Sequence, residues 1–238
     1  EGALKAHPDI KILAFVHAET STGVCSDGEA LAKLAQAHGC LSIMDCVTSL
    51  AGVPVMIDEW GIDAAYSGTQ KCLSCPPGLS PVTFSAKAVE AVRRRNTPIQ
   101  SWFLDLSLVM DYWSGDGARS YHHTAPINAM YALHESLLIV KQEGLEAAWA
   151  RHRAQHEKLK AGLEELGLSL LVDEAHRLPQ MNSVLIPEAL KPREAEIRKT
   201  LLHTHNLEIG AGLGALAGQI WRIGLMGYGA SDENVETC

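Results

Sequence analysis

No stretch of this chain is long and apolar enough to cross a bilayer. Runs such as Ser136-Leu137-Leu138-Ile139-Val140 fall far short of the ~20 residues that a spanning helix needs. The opening Glu1-Gly2-Ala3-Leu4-Lys5 does not read as a signal peptide, so neither membrane insertion nor export is expected. Positive charge is scarce as well: 20 Lys and Arg stand against 28 Asp and Glu, for a formal charge of -8. The only basic cluster, Arg93 to Arg95, lies in a stretch that reads as helix surface, so a nucleic-acid partner is not expected. A disulfide framework is also missing. The six cysteines, Cys25, Cys40, Cys46, Cys72, Cys75 and Cys238, show no tight spacing, which favours a reducing compartment. Cys72 and Cys75 do form a C-x-x-C. No second pair or flanking histidine completes a metal site there, and Pro76-Pro77 argues against a redox helix starting at that point.

What remains is the profile of a soluble globular protein. With 238 residues, 47% of them hydrophobic, the chain can bury a substantial core as one large or two small domains. The pattern alternates. Lys11 to Val16 reads as a buried strand, Gly28 to Ala37 as a helix with Leu31, Leu34 and Ala35 on one face, and Leu41 to Met44 as a strand again, which makes a βαβ unit. Further strands are expected at Ala64 to Tyr66 and Ser80 to Ser85, then a helix through Val89 and Arg93. Strands alternating with helices predict an α/β fold with a mostly parallel sheet covered on both faces.

From about Pro126 the period becomes helical, with Leu133, Leu137, Val140, Leu145 and Trp149 recurring between Asn128 and Leu163. Short strands are expected at Leu168 to Val172, Ser183 to Ile186, Leu207 to Ile209 and Gln219 to Gly224, with a helix from Glu194 to His203. The division is a partial large domain over 1–143 and a small α+β domain over 144–238. Gly212 to Ala217 matches G-x-G-x-x-A by spacing, but the segment after it reads as strand rather than helix. A strand-to-strand loop is therefore preferred to a dinucleotide cradle.

Two strand ends carry the chemistry. Asp45 closes the apolar run Leu41-Ser42-Ile43-Met44, and Lys71 follows Ser67-Gly68-Thr69-Gln70, whose small residues let backbone approach a ligand closely. A carboxylate at a strand end is often a helix cap, and a lysine there usually faces solvent. One amine beside one carboxylate at the carboxyl edge of a buried sheet is nonetheless the arrangement that binds pyridoxal 5′-phosphate, through a Schiff base to the lysine.

Five blocks, in order, resemble the class V aminotransferases of fold type I, and within them the alanine–glyoxylate and serine–glyoxylate enzymes. They are His17-Ala18-Glu19-Thr20-Ser21-Thr22-Gly23, Met44-Asp45-Cys46-Val47-Thr48-Ser49-Leu50, Tyr66-Ser67-Gly68-Thr69-Gln70-Lys71, Tyr121-His122-His123-Thr124 and Trp221-Arg222-Ile223-Gly224. The resemblance implies transamination from a small amino acid, alanine or serine, to glyoxylate or a related 2-oxo acid. It makes Lys71 both the anchor and the acid/base, and pairs Asp45 with the pyridine nitrogen. It sets Val47 against one ring face, with Gln70 and Thr20 as hydrogen-bond partners of the cofactor at the phosphate and the ring-hydroxyl side. Arg222 becomes the clamp on the substrate carboxylate; the plain alternative is a strand arginine paired with a surface acid. Tyr121 and Thr124 match contacts to the cofactor phosphate of a neighbouring subunit, so a homodimer with shared active sites is implied. His122 and His123 are expected to point apart and to serve structural hydrogen bonds rather than a metal.

The resemblance also implies what to expect around this segment. Members of the family run well over a hundred residues before the position of Glu1 and continue past Cys238, so the chain looks like a fragment. A catalytically incompetent structural or binding piece is one alternative reading. A cysteine desulfurase-like lyase is the other, disfavoured because Gln70 stands where those enzymes place a histidine. The implied compartment is the cytoplasm in a bacterium, or the peroxisome or mitochondrion in a eukaryote.

Overall fold

The computed structural model describes residues 1–114 and 120–238. After a short helix α1 (Gly2–Ala6) the chain enters strand β1 (Ile12–Val16), a small hairpin β2 (Ala18–Glu19) and β3 (Val24–Cys25), helix α2 (Gly28–Ala37) and strand β4 (Leu41–Asp45). Helix α2 starts where the Asp27 carboxylate accepts the Ala30 N–H at 2.9 Å, and it buries Ala32 and Ala35. Strand β4 lies parallel to β1, with Ile12 opposite Leu41 and Val16 opposite Asp45. A short α3 (Ile57–Trp60) leads to β5 (Ala64–Tyr66), parallel to β4 on its other side, with Asp45 opposite Tyr66. Ala32, Met44, Cys46, Ile62 and Ala65 form the core beneath this sheet.

Asp63 pins the register of β4 and β5 from the buried side. Its carboxylate accepts the Ser42 N–H at 3.0 Å and the Ser85 hydroxyl at 2.9 Å, while its own N–H donates to Ser42 Oγ at 2.9 Å. Every polar atom taken out of water there has a partner. Strand β6 (Val82–Phe84) completes the sheet in the order β1-β4-β5-β6 and runs antiparallel to β5. The sheet is mostly parallel, as expected, with β6 its antiparallel member, and the connection from β5 to β6 holds no crossover helix. Helix α4 (Ala86–Arg93) and helix α5 (Leu106–Ser114) follow.

The long helical stretch is two helices, α6 (Ile127–Glu143) and α7 (Leu145–Glu165), parted at Gly144 with φ 87°. Leu159 and Leu163 of α7 pack with Val184, Ile186, Trp221 and Ile223 over a second, antiparallel sheet in the order β7-β9-β8: β7 (Met181–Leu185), β9 (Ile220–Gly224) and β8 (Gly210–Ala211). Helices α8 (Glu194–His205) and α9 (Asp232–Thr237) complete this part. The expected strand over 168–172 is a single bridge from Leu170 to Val184, and 207–209 is not a strand, because the pairing partner of β9 lies one step later at Gly210 and Ala211. The glycine-rich run is a strand-to-strand loop, as expected. A Cβ on Gly212 would stand 2.0 Å from the Leu216 carbonyl oxygen, so that glycine serves the loop's own tight return. Among the described residues no helix is long and apolar enough to cross a membrane.

Candidate active site

The carboxyl ends of β4 and β5 lie side by side, and the first polar cluster forms there. Asp45 Oδ1 accepts the Val47 N–H at 2.9 Å, and Oδ2 accepts the Tyr66 hydroxyl at 2.8 Å. Both oxygens are oriented by donors, which fixes the carboxylate plane. The hydrogen bond to Asp45, with burial adding to it, raises the Tyr66 pKa and so keeps the phenol protonated as the donor. Gly68 brings two more residues to the same place. A Cβ on it would meet Gln70 Oε1 at 2.8 Å and Val47 Cγ1 at 3.3 Å, so the absence of a side chain lets Gln70 and Val47 flank one backbone position.

Lys71 is half-buried in a turn just beyond this cluster. The turn closes with the Ser74 N–H on the Lys71 carbonyl at 2.9 Å. Thr69 reinforces it, since its hydroxyl donates to the Pro76 carbonyl at 2.7 Å and its carbonyl accepts the Cys75 N–H at 3.1 Å. Cys72 and Cys75 are both buried. The Cys72 thiol donates to the Thr48 carbonyl at 3.5 Å, and burial pushes its pKa up to about 12. Such a thiol resists ionisation, which makes it a poor nucleophile.

Arg222 stands on β9. Its Nε donates to the Ala211 carbonyl at 2.7 Å and its Nη1 to the Thr20 carbonyl at 3.1 Å. Its partners are therefore backbone carbonyls and not a surface acid, and they bring Thr20, 202 residues away, beside it. The hairpin that carries Thr20 is pressed onto β7, where a Cβ on Gly23 would come within 2.6 Å of the Met181 carbonyl oxygen.

The Tyr121 and Thr124 hydroxyls hydrogen-bond to each other at 2.5 Å, and Tyr121 is 65% exposed. His122 and His123 do not point apart. Their Nδ1 atoms are 2.7 Å apart, because His122 turns inward to stack on Trp102 at 4.2 Å and to donate from Nε2 to the Trp102 carbonyl. The stacking overrides the alternation expected of extended chain. Among the described residues no group of three His, Cys, Asp or Glu is placed to hold a metal. Tyr66 is the residue that sequence reasoning passed over. The available signal was its position at the end of the strand next to Asp45.

A family model described as "Aminotransferase class-V" matches residues 3–235. The chain belongs to that family. Over 238 residues it is 40% identical to the alanine–glyoxylate aminotransferase of Oryctolagus cuniculus, covering 99% of this chain and 60% of that protein. It is 39% identical to the (S)-ureidoglycine–glyoxylate transaminase of Bacillus subtilis, covering 94% of this chain and 58% of the relative. The crystal structure of an alanine–glyoxylate aminotransferase from Nostoc sp. superimposes with a TM-score of 0.93 at 47% identity, covering 99% of this chain and 61% of that one. The architecture is that of fold type I. The chain spans about 60% of the length of the curated relatives it matches.

Proposed function

We propose that the protein carrying this chain is a pyridoxal 5′-phosphate-dependent aminotransferase that passes the amino group of a small amino acid, alanine or serine, to glyoxylate or a related 2-oxo acid. The observation that carries this reading is the Asp45 carboxylate, held by the Val47 N–H and the Tyr66 hydroxyl one strand away from the loop that bears Lys71. The donor set suits a pyridinium ring: a fixed carboxylate for the ring nitrogen, the branched Val47 for one face, and at Gly68 a gap that a side chain would close. Two relatives named for glyoxylate support the acceptor.

When bound, pyridoxal phosphate supplies a sink for the electron pair left on the substrate α-carbon. Lys71 would hold the cofactor and, with its amine free, would move the proton at the substrate α-carbon. Asp45 would hold the ring nitrogen's proton, and Gln70 and Thr20 would hold the cofactor by hydrogen bonds. Arg222 would offer its planar guanidinium to the substrate carboxylate and so orient the substrate.

The exposed Tyr121–Thr124 hydroxyl pair fits a contact with a neighbouring subunit's cofactor in a homodimer with shared sites. A boundary between large and small domains at Gly144 is supported by packing, since Leu133 and Val140 of α6 lie against Leu73 whereas Leu159 and Leu163 of α7 serve the second sheet. Six free cysteines, four of them buried, fit a reducing compartment. The test is borohydride reduction of the intact protein followed by digestion. The expected product is a pyridoxyl-modified peptide containing Lys71, and modification of a different lysine would reject the assignment.

A further inference from the structure

The turn after Lys71 is gripped from behind by groups that the chemistry proposed above does not use. Ser74 sits at φ 56°, in the left-handed region that a residue with a side chain holds only when its surroundings fix it. Those surroundings come from three elements. Ser74 Oγ accepts the Tyr228 N–H at 2.7 Å, the Ser136 hydroxyl of α6 donates to the Leu73 carbonyl, and the Cys72 thiol reaches the Thr48 carbonyl. Gly227, at φ 55°, lies flush against the turn. A Cβ there would stand 1.9 Å from Ser74 Oγ and 2.8 Å from the Cys72 carbonyl oxygen.

The 227–230 segment is held in its turn by α7. Arg151 donates from Nη1 to the carbonyls of Gly227, at 2.7 Å, and Ala230, at 3.0 Å, while its Nε and Nη2 grip both oxygens of Glu143 at 2.6 and 3.0 Å. His152 is fully buried. Its Nδ1 donates to the Ala148 carbonyl at 2.6 Å, which leaves Nε2 as the acceptor for the Gly227 N–H at 2.9 Å. Burial lowers the His152 pKa and so favours this neutral, accepting form.

From this geometry we infer that Ser74, Gly227, Arg151 and His152 are positioning residues for Lys71: the 227–230 turn fixes the backbone on which the amine is mounted and ties its place to α7 and the second sheet. The inference rests on the reading of Lys71 as the reactive amine. Displacing a reacting group by about 1 Å can cost on the order of 10²-fold in rate, so a brace of this kind acts on turnover more than on substrate affinity.

The test is Ser74→Ala in the intact protein, which removes one acceptor and leaves Asp45, Lys71 and Arg222 untouched. Loss of that hydrogen bond predicts a fall of about tenfold in kcat with KM nearly unchanged. It also predicts a shifted midpoint in the pH titration of the bound cofactor's visible absorption. In the cofactor-free protein, amide hydrogen exchange over residues 69–76 is expected to accelerate about tenfold while residues 41–45 keep their protection. Unchanged exchange would overturn the inference, and so would faster exchange with unaltered kcat and titration, which would make the brace structural only. Borohydride labelling of the unsubstituted protein is scored first. Attachment at another lysine would sink the reading of Lys71, and this inference with it, before any variant is compared.

Discussion

Tyr66 donates its hydroxyl to Asp45 Oδ2 at 2.8 Å across two parallel strands whose ends are in register. Because Tyr66 is 41% exposed, the bond adds little to global stability and acts chiefly on the direction in which the carboxylate faces. Tyr66→Phe is therefore expected to weaken cofactor binding about tenfold, as befits one charge-assisted hydrogen bond. Its melting temperature should move by less than ~4 °C. Cofactor titration and a melting curve check this; unchanged affinity would remove Tyr66 from the site.

Arg222→Lys keeps the positive charge and loses the fork. Two charge-assisted bonds become one at best, a loss of about 2 kcal/mol, or roughly thirtyfold in kcat/KM for both amino and keto substrates. Cofactor absorbance should persist. Steady-state kinetics close to those of the unsubstituted protein would reject Arg222 as the carboxylate clamp.

Gly68→Ala tests the gap between Val47 and Gln70. The added methyl would stand 2.8 Å from Gln70 Oε1, so the Gln70 side chain must swing away. A weakened cofactor complex with an unaltered far-ultraviolet dichroism spectrum is expected. Full affinity would mean that Gln70 does not contact the cofactor.

Three buried histidines give stability a pH dependence of definite sign. Burial lowers the pKa of His17, His152 and His156, partly offset for His17 by Asp27. For His152 the Ala148 carbonyl and Glu143 offset burial while Arg151 adds to it; for His156 Asn182 and Glu157 offset it while Arg177 and Lys160 add to it. Below the ordinary histidine pKa of about 6.5 the unfolded chain takes up protons that the folded one refuses. Stability is thus fully present above about pH 6.5 and falls as pH drops through the lowered folded values, by up to ~1.4 kcal/mol per pH unit for each group. Urea midpoints at pH 8 and pH 5.5 should differ in that direction. Equal midpoints would contradict it.

Much of this architecture was legible because local pattern and burial agree in it. Helix α2 runs over Gly28–Ala37 and strand β5 over Ala64–Tyr66, the spans that periodicity marked out. Asp45 and Lys71 stood out because a polar residue ending an apolar strand is conspicuous. Strand direction was not legible at β6, since a short apolar run carries no record of the sense in which it pairs. Contacts between distant segments were hidden for a similar reason: Arg222 meets Thr20, and Gln180 donates to the Thr48 carbonyl 132 residues away, through backbone carbonyls that every residue possesses. The inward turn of His122 depended on Trp102, which no local rule connects to it.

The hydrogen bond from the Tyr228 N–H to Ser74 also sets a clock on the making of the protein. The two residues are 154 positions apart, and at ~5–20 residues per second that span takes on the order of 10–30 s to synthesise. Throughout that interval the lysine loop lacks the 227–230 part of its support and has only the contacts to Thr48 and, once α6 is made, to Ser136. A ribosome stalled before Gly227 would release a polypeptide with Asp45, Gln70 and Lys71 all present and the turn behind the lysine held only from Thr48 and Ser136.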